Sequence, residues 1–285
     1  MKLTLLFCIL VLFNSCDFIN PDERDPAFIF IDTFEVTTTP GQGTNRNGIS
    51  ELWVYANADI IGVFDVPAQI PLIGNGNQQI TIFAGIKNNG IGTTRIRYPF
   101  FATFDTVLNL QGLNEYHLTP RFTYNQGALI DNSRNFETGN TFVSGSNNNG
   151  SIDLIDDSQI AADGNRCIRA TVNNPGYLQF IDNTDLTMES GNTVFLEMDY
   201  SCNNTFGIGV YALQAGNSAK IPILYLTPTT PDAGSTPAWN KVYVDFGAIA
   251  IQYPNADYYR IYFESSANES ATPTIFLDNL KIVNW

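Results

Sequence analysis

Positive charge is scarce in this chain. Lys and Arg together number 14 against 28 Asp and Glu in 285 residues, a formal net charge of −14. Nucleic-acid binding needs a basic stripe that displaces counterions from phosphates, and a chain this acidic is not built for it. Histidine is nearly absent. His117 stands alone, which excludes a His-rich metal centre and any two-histidine mechanism. Charged residues of both signs make up 15 %, well under the roughly 25 % usual in soluble domains. The surface must be polar through other groups, and 31 asparagines with abundant Thr, Ser and Gly supply them. No G-x-S-x-G, P-loop or metal-ligand spacing is present. Beyond the first sixteen residues no segment is apolar enough to cross a bilayer.

Met1-Lys2 forms a short positive start, and Leu3 to Phe13 is an apolar run of eleven residues, too short to span a hydrocarbon core of ~30 Å. Asn14-Ser15-Cys16 follows, a small residue directly before a cysteine. This pattern is that of a secretory signal peptide. It resembles the bacterial lipoprotein type, which implies cleavage after residue 15 and lipidation of Cys16. Asp17 to Ala27 contains two prolines, four acids and one Arg, a composition that cannot bury a core and serves as a tether. An acidic stretch after the lipidated Cys resembles the export tag of Bacteroidota surface lipoproteins. The resemblance implies an outer-membrane, lipid-anchored protein facing the cell exterior, held by acyl chains rather than by its body.

From Phe28 onward the chain has no convincing helical period. Runs with two-residue alternation recur every eight to fifteen residues, punctuated by Gly, Asn, Pro and Asp, so the body is read as all-β. Strands are expected at Phe28–Val36, Ser50–Ala56, Ile60–Val66, Gln69–Leu72, Gln78–Ile86, Thr93–Tyr98, Asp105–Leu110 and Glu115–Tyr124. Seven or eight short strands over residues 28–125 suggest an N-terminal Ig-like sandwich. Within it, Trp53-Val54-Tyr55, Ile61 to Phe64, Pro67 to Pro71 and Gly76 to Ile82 resemble the surface-layer module called PEGA, which implies packing and no chemistry. A second domain, 126–285, is expected to hold strands at Arg166–Val172, Tyr177–Ile181, Val194–Ser201, Gly207–Leu213, Ile221–Leu226, Asn240–Phe246, Tyr259–Glu264 and Thr274–Val283, with Ser144 to Ser151 as a long polar loop. That count suits a C-terminal jelly-roll β-sandwich. Phe136-Glu137, Phe195 to Tyr200, Trp239 to Tyr243 and Ile275 to Leu280 together resemble the galactose-binding-like jelly rolls of carbohydrate-binding modules.

The resemblance implies a structural Ca²⁺ held by Glu137 and Asp278, with backbone carbonyls completing the six to eight oxygens calcium needs. The plain alternative is that Glu137 caps a turn and Asp278 accepts from backbone amides. Tyr253, Tyr258 and Tyr259 cluster in one loop, and Trp239 follows a Pro-rich loop. These four could stack on sugar rings, or serve as core and sandwich edge. Cys167 and Cys202 fall in expected strands and could form a disulfide closing a loop of about 35 residues, worth roughly 3 kcal/mol, or remain as two buried thiols. No base, acid or nucleophile stands in a catalytic context, so the chain is read as a non-enzyme. The first functional reading is an accessory subunit docking on an outer-membrane protein complex. The alternative is a glycan-binding lipoprotein of a polysaccharide uptake system, and a glycoside hydrolase ranks last.

Overall fold

A computed structural model describes residues 24–146, 148–230, 236–267 and 272–285. The signal segment, Cys16 and most of the tether lie outside the described residues. The described chain is all-β, as its alternation predicts, with one short helix.

The first half contains β1 (Ala27–Ile31), β2 (Glu35–Val36), β3 (Ile49–Ala56), β4 (Asp59–Phe64), β5 (Ala68–Leu72), β6 (Gly76–Lys87), β7 (Arg95–Arg97), β8 (Phe104–Leu110), β9 (Glu115–His117) and β10 (Arg121–Phe122). One sheet runs β4-β3-β6, with β7 and β8 both paired to β6. The facing layer is β5-β1-β9 plus the pair β10-β2. Ile29, Ile31, Leu52, Val54, Ile70, Ile80, Ile82 and Phe122 fill the space between. The expected strand Phe28–Val36 is broken into β1 and β2, and Glu115–Tyr124 into β9 and β10. Each half pairs in parallel, β9 on β1 and β10 on β2. At the β3–β4 hairpin Asn57 and Ala58 both hold positive φ, 49° and 72°, the signature of a two-residue turn whose twist matches its strands.

The second half contains β11 (Leu129–Arg134), β12 (Phe142–Ser144), β13 (Gly150–Asp156), β14 (Arg166–Val172), β15 (Gly176–Asp182), β16 (Val194–Cys202), β17 (Phe206–Gln214), β18 (Asn217–Leu226), β19 (Asn240–Asp245), α1 (Gly247–Gln252), β20 (Tyr258–Ala267) and β21 (Thr274–Asn284). A six-stranded sheet, β13-β14-β21-β16-β19 with β11 also on β21, packs against a five-stranded sheet, β12-β15-β20-β17-β18. This is an antiparallel jelly-roll sandwich. Strands β11, β12 and β13 lie where the sequence reading placed no strand, and β12 and β13 take in both ends of the expected polar loop.

The centre of the six-stranded sheet, β16 and β21, is buried on both faces. All nine residues of β16 are buried. Val194, Leu196, Met198, Tyr200 and Cys202 face the sandwich core, while Phe195 joins Tyr243 and Val283 in the core of the first half. The first half therefore sits on this sheet's outer face. Polar groups there are paired across the junction. The Glu197 carboxylate accepts from Tyr98 Oη at 2.6 Å and from Tyr124 Oη at 2.8 and 2.9 Å. Lys281 Nζ donates to the Gln42 carbonyl at 3.0 Å, and Gly48 N donates to Tyr243 Oη at 3.1 Å.

Candidate functional site

With one sheet covered, the outer face of the five-stranded sheet is the open face of the sandwich. Alternation decides what stands on it. Phe180, Ile208, Val210, Ile261 and Phe263 point into the core, so their neighbours Tyr177, Gln179, Tyr211, Tyr262 and Glu264 point out. The register sets them side by side: Tyr177 on β15 is one step from Gln179, Gln179 pairs with Glu264 on β20, and Tyr211 on β17 pairs with Lys220 on β18.

Glycines let these rings lie down. A Cβ on Gly209 would come within 2.3 Å of the Tyr262 ring and 2.4 Å of the Ile221 carbonyl, and one on Gly207 within 2.9 Å of the Tyr225 ring. The rings cross the strand where no side chain stands in the way. Tyr262 is fully buried, whereas Tyr225 is 65 % exposed and offers a bare aromatic surface. Tyr211 leans on Tyr262 with ring centroids 5.1 Å apart, and the Lys220 ammonium sits 4.9 Å above the Tyr262 ring.

Glu264 is the acid of this face. Its Oε2 accepts from Tyr177 Oη at 2.5 Å, Gln179 Nε2 at 3.1 Å and Lys220 Nζ at 2.5 Å. Burial raises the Glu264 pKa, but these three donors and the Lys220 charge outweigh it and hold the carboxyl below its usual range. It is therefore an ionised acceptor. All three donors converge on Oε2, and Oε1 has no hydrogen-bond partner among the described residues. Tyr211 Oη donates to Gln179 Oε1 at 3.0 Å, so Gln179 is fixed from both ends. The Tyr262 hydroxyl has no partner among the described residues. Among the described strands of this sheet Glu264 is the one outward-facing acid.

Of the residues singled out in the sequence, Tyr258 alone stands on this face, at the start of β20. Tyr259 is 1 % exposed and its hydroxyl donates to the Tyr253 carbonyl at 2.7 Å. It belongs to the core, not to a sugar platform. Tyr258 is half-buried under Arg260, 5.3 Å above its ring. Tyr253 lines a cleft of about 530 Å³ with Gln214, Asn217, Gln252 and Asn255. Trp239, at the other end of the β19–α1 segment, donates its Nε1–H to the Ile160 carbonyl at 3.0 Å and meets Phe276 edge-on. The four aromatics do not form one surface.

Glu137 and Asp278 both serve the loop before β14, but as acceptors of N–H groups. Glu137 Oε1 takes Asn165 N and Arg166 N at 2.9 and 3.0 Å. Asp278 takes Ala162 N, Asp163 N and Asn279 N at 2.9, 3.3 and 2.7 Å. Amide donors stand where a cation would need oxygens, so the donor set does not fit calcium. Cys167 and Cys202 are both free and buried. They flank β21 on opposite faces of the sheet: Cys202 lies in the sandwich core, while Cys167 neighbours the core residue Ile168 and faces the other way. No disulfide can join them without rebuilding the sheet.

The tyrosine face escaped the sequence reading because its members come from four strands. The signal available was Gly207-Ile208-Gly209-Val210-Tyr211, a strand with glycines on one face and branched apolar residues on the other.

No protein-family model matches the chain, and no curated protein matches it in sequence. Among solved structures it is similar to one reported as the structural basis for promiscuous specificity of carbohydrate-binding modules from the β-sandwich superfamily. Identity there is 13 %, over 91 % of this chain and 98 % of that one, with a TM-score of 0.39. It is similar also to TmCBM61 in complex with β-1,4-galactotriose (13 %, 53 % and 94 %, TM-score 0.36). A third is the K1 cleaved adhesin domain of Lys-gingipain from Porphyromonas gingivalis W83 (18 %, 54 % and 96 %, TM-score 0.38). At identities and TM-scores this low the likeness extends to the β-sandwich and carries neither ligand nor site across.

Proposed function

We propose that this protein binds glycans, without catalysis, on the tyrosine face of its five-stranded sheet. The observation that carries the reading is the juxtaposition of the exposed Tyr225 ring with a carboxylate pinned through one oxygen and open at the other. A sugar presents a C–H face that packs on a flat ring and a rim of hydroxyls that needs fixed acceptors and donors. Tyr225 supplies the first, and Glu264 Oε1 with the partly exposed Lys220 the second. The hydrogen bonds onto Glu264 Oε2 hold this polar pair in place before any ligand arrives, which lowers the ordering cost of binding.

The rest of the proposal comes from the sequence. Cys16 is the lipidated residue, the tether runs from it to residue 26, since Ala27 already lies buried in β1, and two sandwich domains, one reaching to residue 125 and one over 126–285, stand on it at the outer surface of the outer membrane. An anchored glycan binder works by raising ligand concentration beside a partner, so the accessory-subunit role becomes delivery to an outer-membrane uptake complex. Calorimetric titration with neutral β-linked oligosaccharides tests the reading. Tyr225→Ala is expected to weaken binding at least tenfold and Glu264→Gln to weaken it measurably, with both variants folded. Unchanged affinity in both would sink it.

A further inference from the structure

A second cleft of about 410 Å³ opens where the two halves meet. Three cations line it, Arg46, Lys87 and Lys241, together with Trp239, Tyr200 and Asn240, and none of its lining residues is acidic. In a chain of net charge −14 that is a local reversal of sign. The acids behind the wall do not cancel it. Glu197 and Asp199 face Arg46, Lys241 and Lys281, two carboxylates against three cations, and Lys87 adds a fourth, exposed one.

The inner cations are also poorly satisfied. The Lys241 side chain is 2 % exposed, yet its nearest carboxylate oxygens lie at 3.7 and 4.0 Å. That is beyond hydrogen-bond reach, and its ammonium has no acceptor among the described residues. Arg46 Nε lies 3.3 Å from Asp199 Oδ2 without a hydrogen bond. Buried donors left this way are costly unless they serve a charge brought from outside. The walls beside them are aromatic and amide, which suits a ring with hydroxyls rather than a bare ion.

We infer that the cleft between the two halves is a second binding site, for a carboxylate-bearing pyranose such as a uronic acid within an oligosaccharide. Lys87 and the partly exposed Arg46 meet the carboxylate. Lys241 adds charge from beneath, and Trp239 borders the sugar ring. This inference is independent of the tyrosine face.

The test is titration of the full chain with trigalacturonic acid, read by tryptophan fluorescence and calorimetry. Its methyl ester serves as the neutral control and sodium sulfate as the free anion. The expected result is binding at least tenfold weaker for the ester and for Lys87→Glu, unchanged within about twofold in Tyr225→Ala, with the fluorescence response lost in Trp239→Phe. Because Lys87 is exposed and makes no ion pair among the described residues, Lys87→Glu should melt with the parent protein. No binding, or equal binding by Lys87→Glu, overturns the inference. So does loss in Tyr225→Ala instead, which would move the acid sugar to the other face. Equal binding of sulfate overturns it as well, leaving an adventitious ion only.

Discussion

Asp278 shows what burial does to a carboxylate that has amide donors but no cation. Desolvation dominates, three backbone N–H groups pull the other way, and the result is a pKa pushed up from 3.8 to about 7. The folded protein therefore holds this proton more tightly than the unfolded chain. Between about pH 4 and pH 7 the native state binds more protons, so this group's contribution to stability falls as pH rises, by up to ~1.4 kcal/mol per pH unit, and levels off above about 7. Replacing it by an amide should remove that slope. Urea melts of the parent and of Asp278→Asn across pH 4 to 8 check this, and parallel curves would contradict it. The resemblance to galactose-binding-like jelly rolls is what singles out Asp278, and its alternative role as an amide acceptor is the one the fold uses. The same cannot be said of Tyr259, which looks like a platform in a loop motif and is a core residue because β20 begins at Tyr258.

Among the elements, alternation was legible wherever a strand carries several apolar residues. The expected Arg166–Val172 coincides with β14, and Val194–Ser201 differs from β16 by one residue. Strands β11 to β13 were not legible for a physical reason. Leu-Ile-Asp-Asn-Ser-Arg and Phe-Val-Ser bury one residue each, and Gly150–Asp156 buries none. Each offers the core a single apolar anchor, Ile130, Phe142 and Ile152, and ladder hydrogen bonds do the rest, too little to register as an alternating face. Arg134 at the end of β11 is 1 % exposed and pairs with Asp182 on β15 and Asp131, which ties one sheet to the other. Removing one member of such a pair leaves a buried charge alone, a loss of about 3–5 kcal/mol. Arg134→Met should show that loss in chemical denaturation, while Arg121→Met, in an exposed pair with Glu35, should cost under about 1 kcal/mol. Equal effects would mean the buried clamp is not what holds β11. Helix α1, six residues long, is too short to display a period of 3.6.

At the scale of the molecule, the junction decides which surface is left for function. The first half occupies the outer face of the six-stranded sheet through Phe195, Tyr243, Val283 and the Glu197 cluster, so the five-stranded sheet is the one with a free face. None of this was legible from the sequence, because Glu197 and Asp199 on an alternating strand look like solvent-facing residues. The shared core predicts that both halves unfold together. Glu197 accepts from two tyrosines and faces two lysines, so Glu197→Ala should cost about 3–5 kcal/mol and split one calorimetric transition into two. A parent protein that already melts in two steps would contradict the coupling. Among the described residues no helix is long and apolar enough to cross a membrane, and the proposed attachment rests on Cys16.

Whether the tyrosine face holds a glycan is decided by a crystal structure with a bound neutral oligosaccharide, selected by titration. The expected density is a sugar ring stacked on Tyr225 with a hydroxyl on Glu264 Oε1 and a second contact from Lys220. Sugar density seated in the Tyr253 cleft or elsewhere, with Tyr225 left bare, would contradict it.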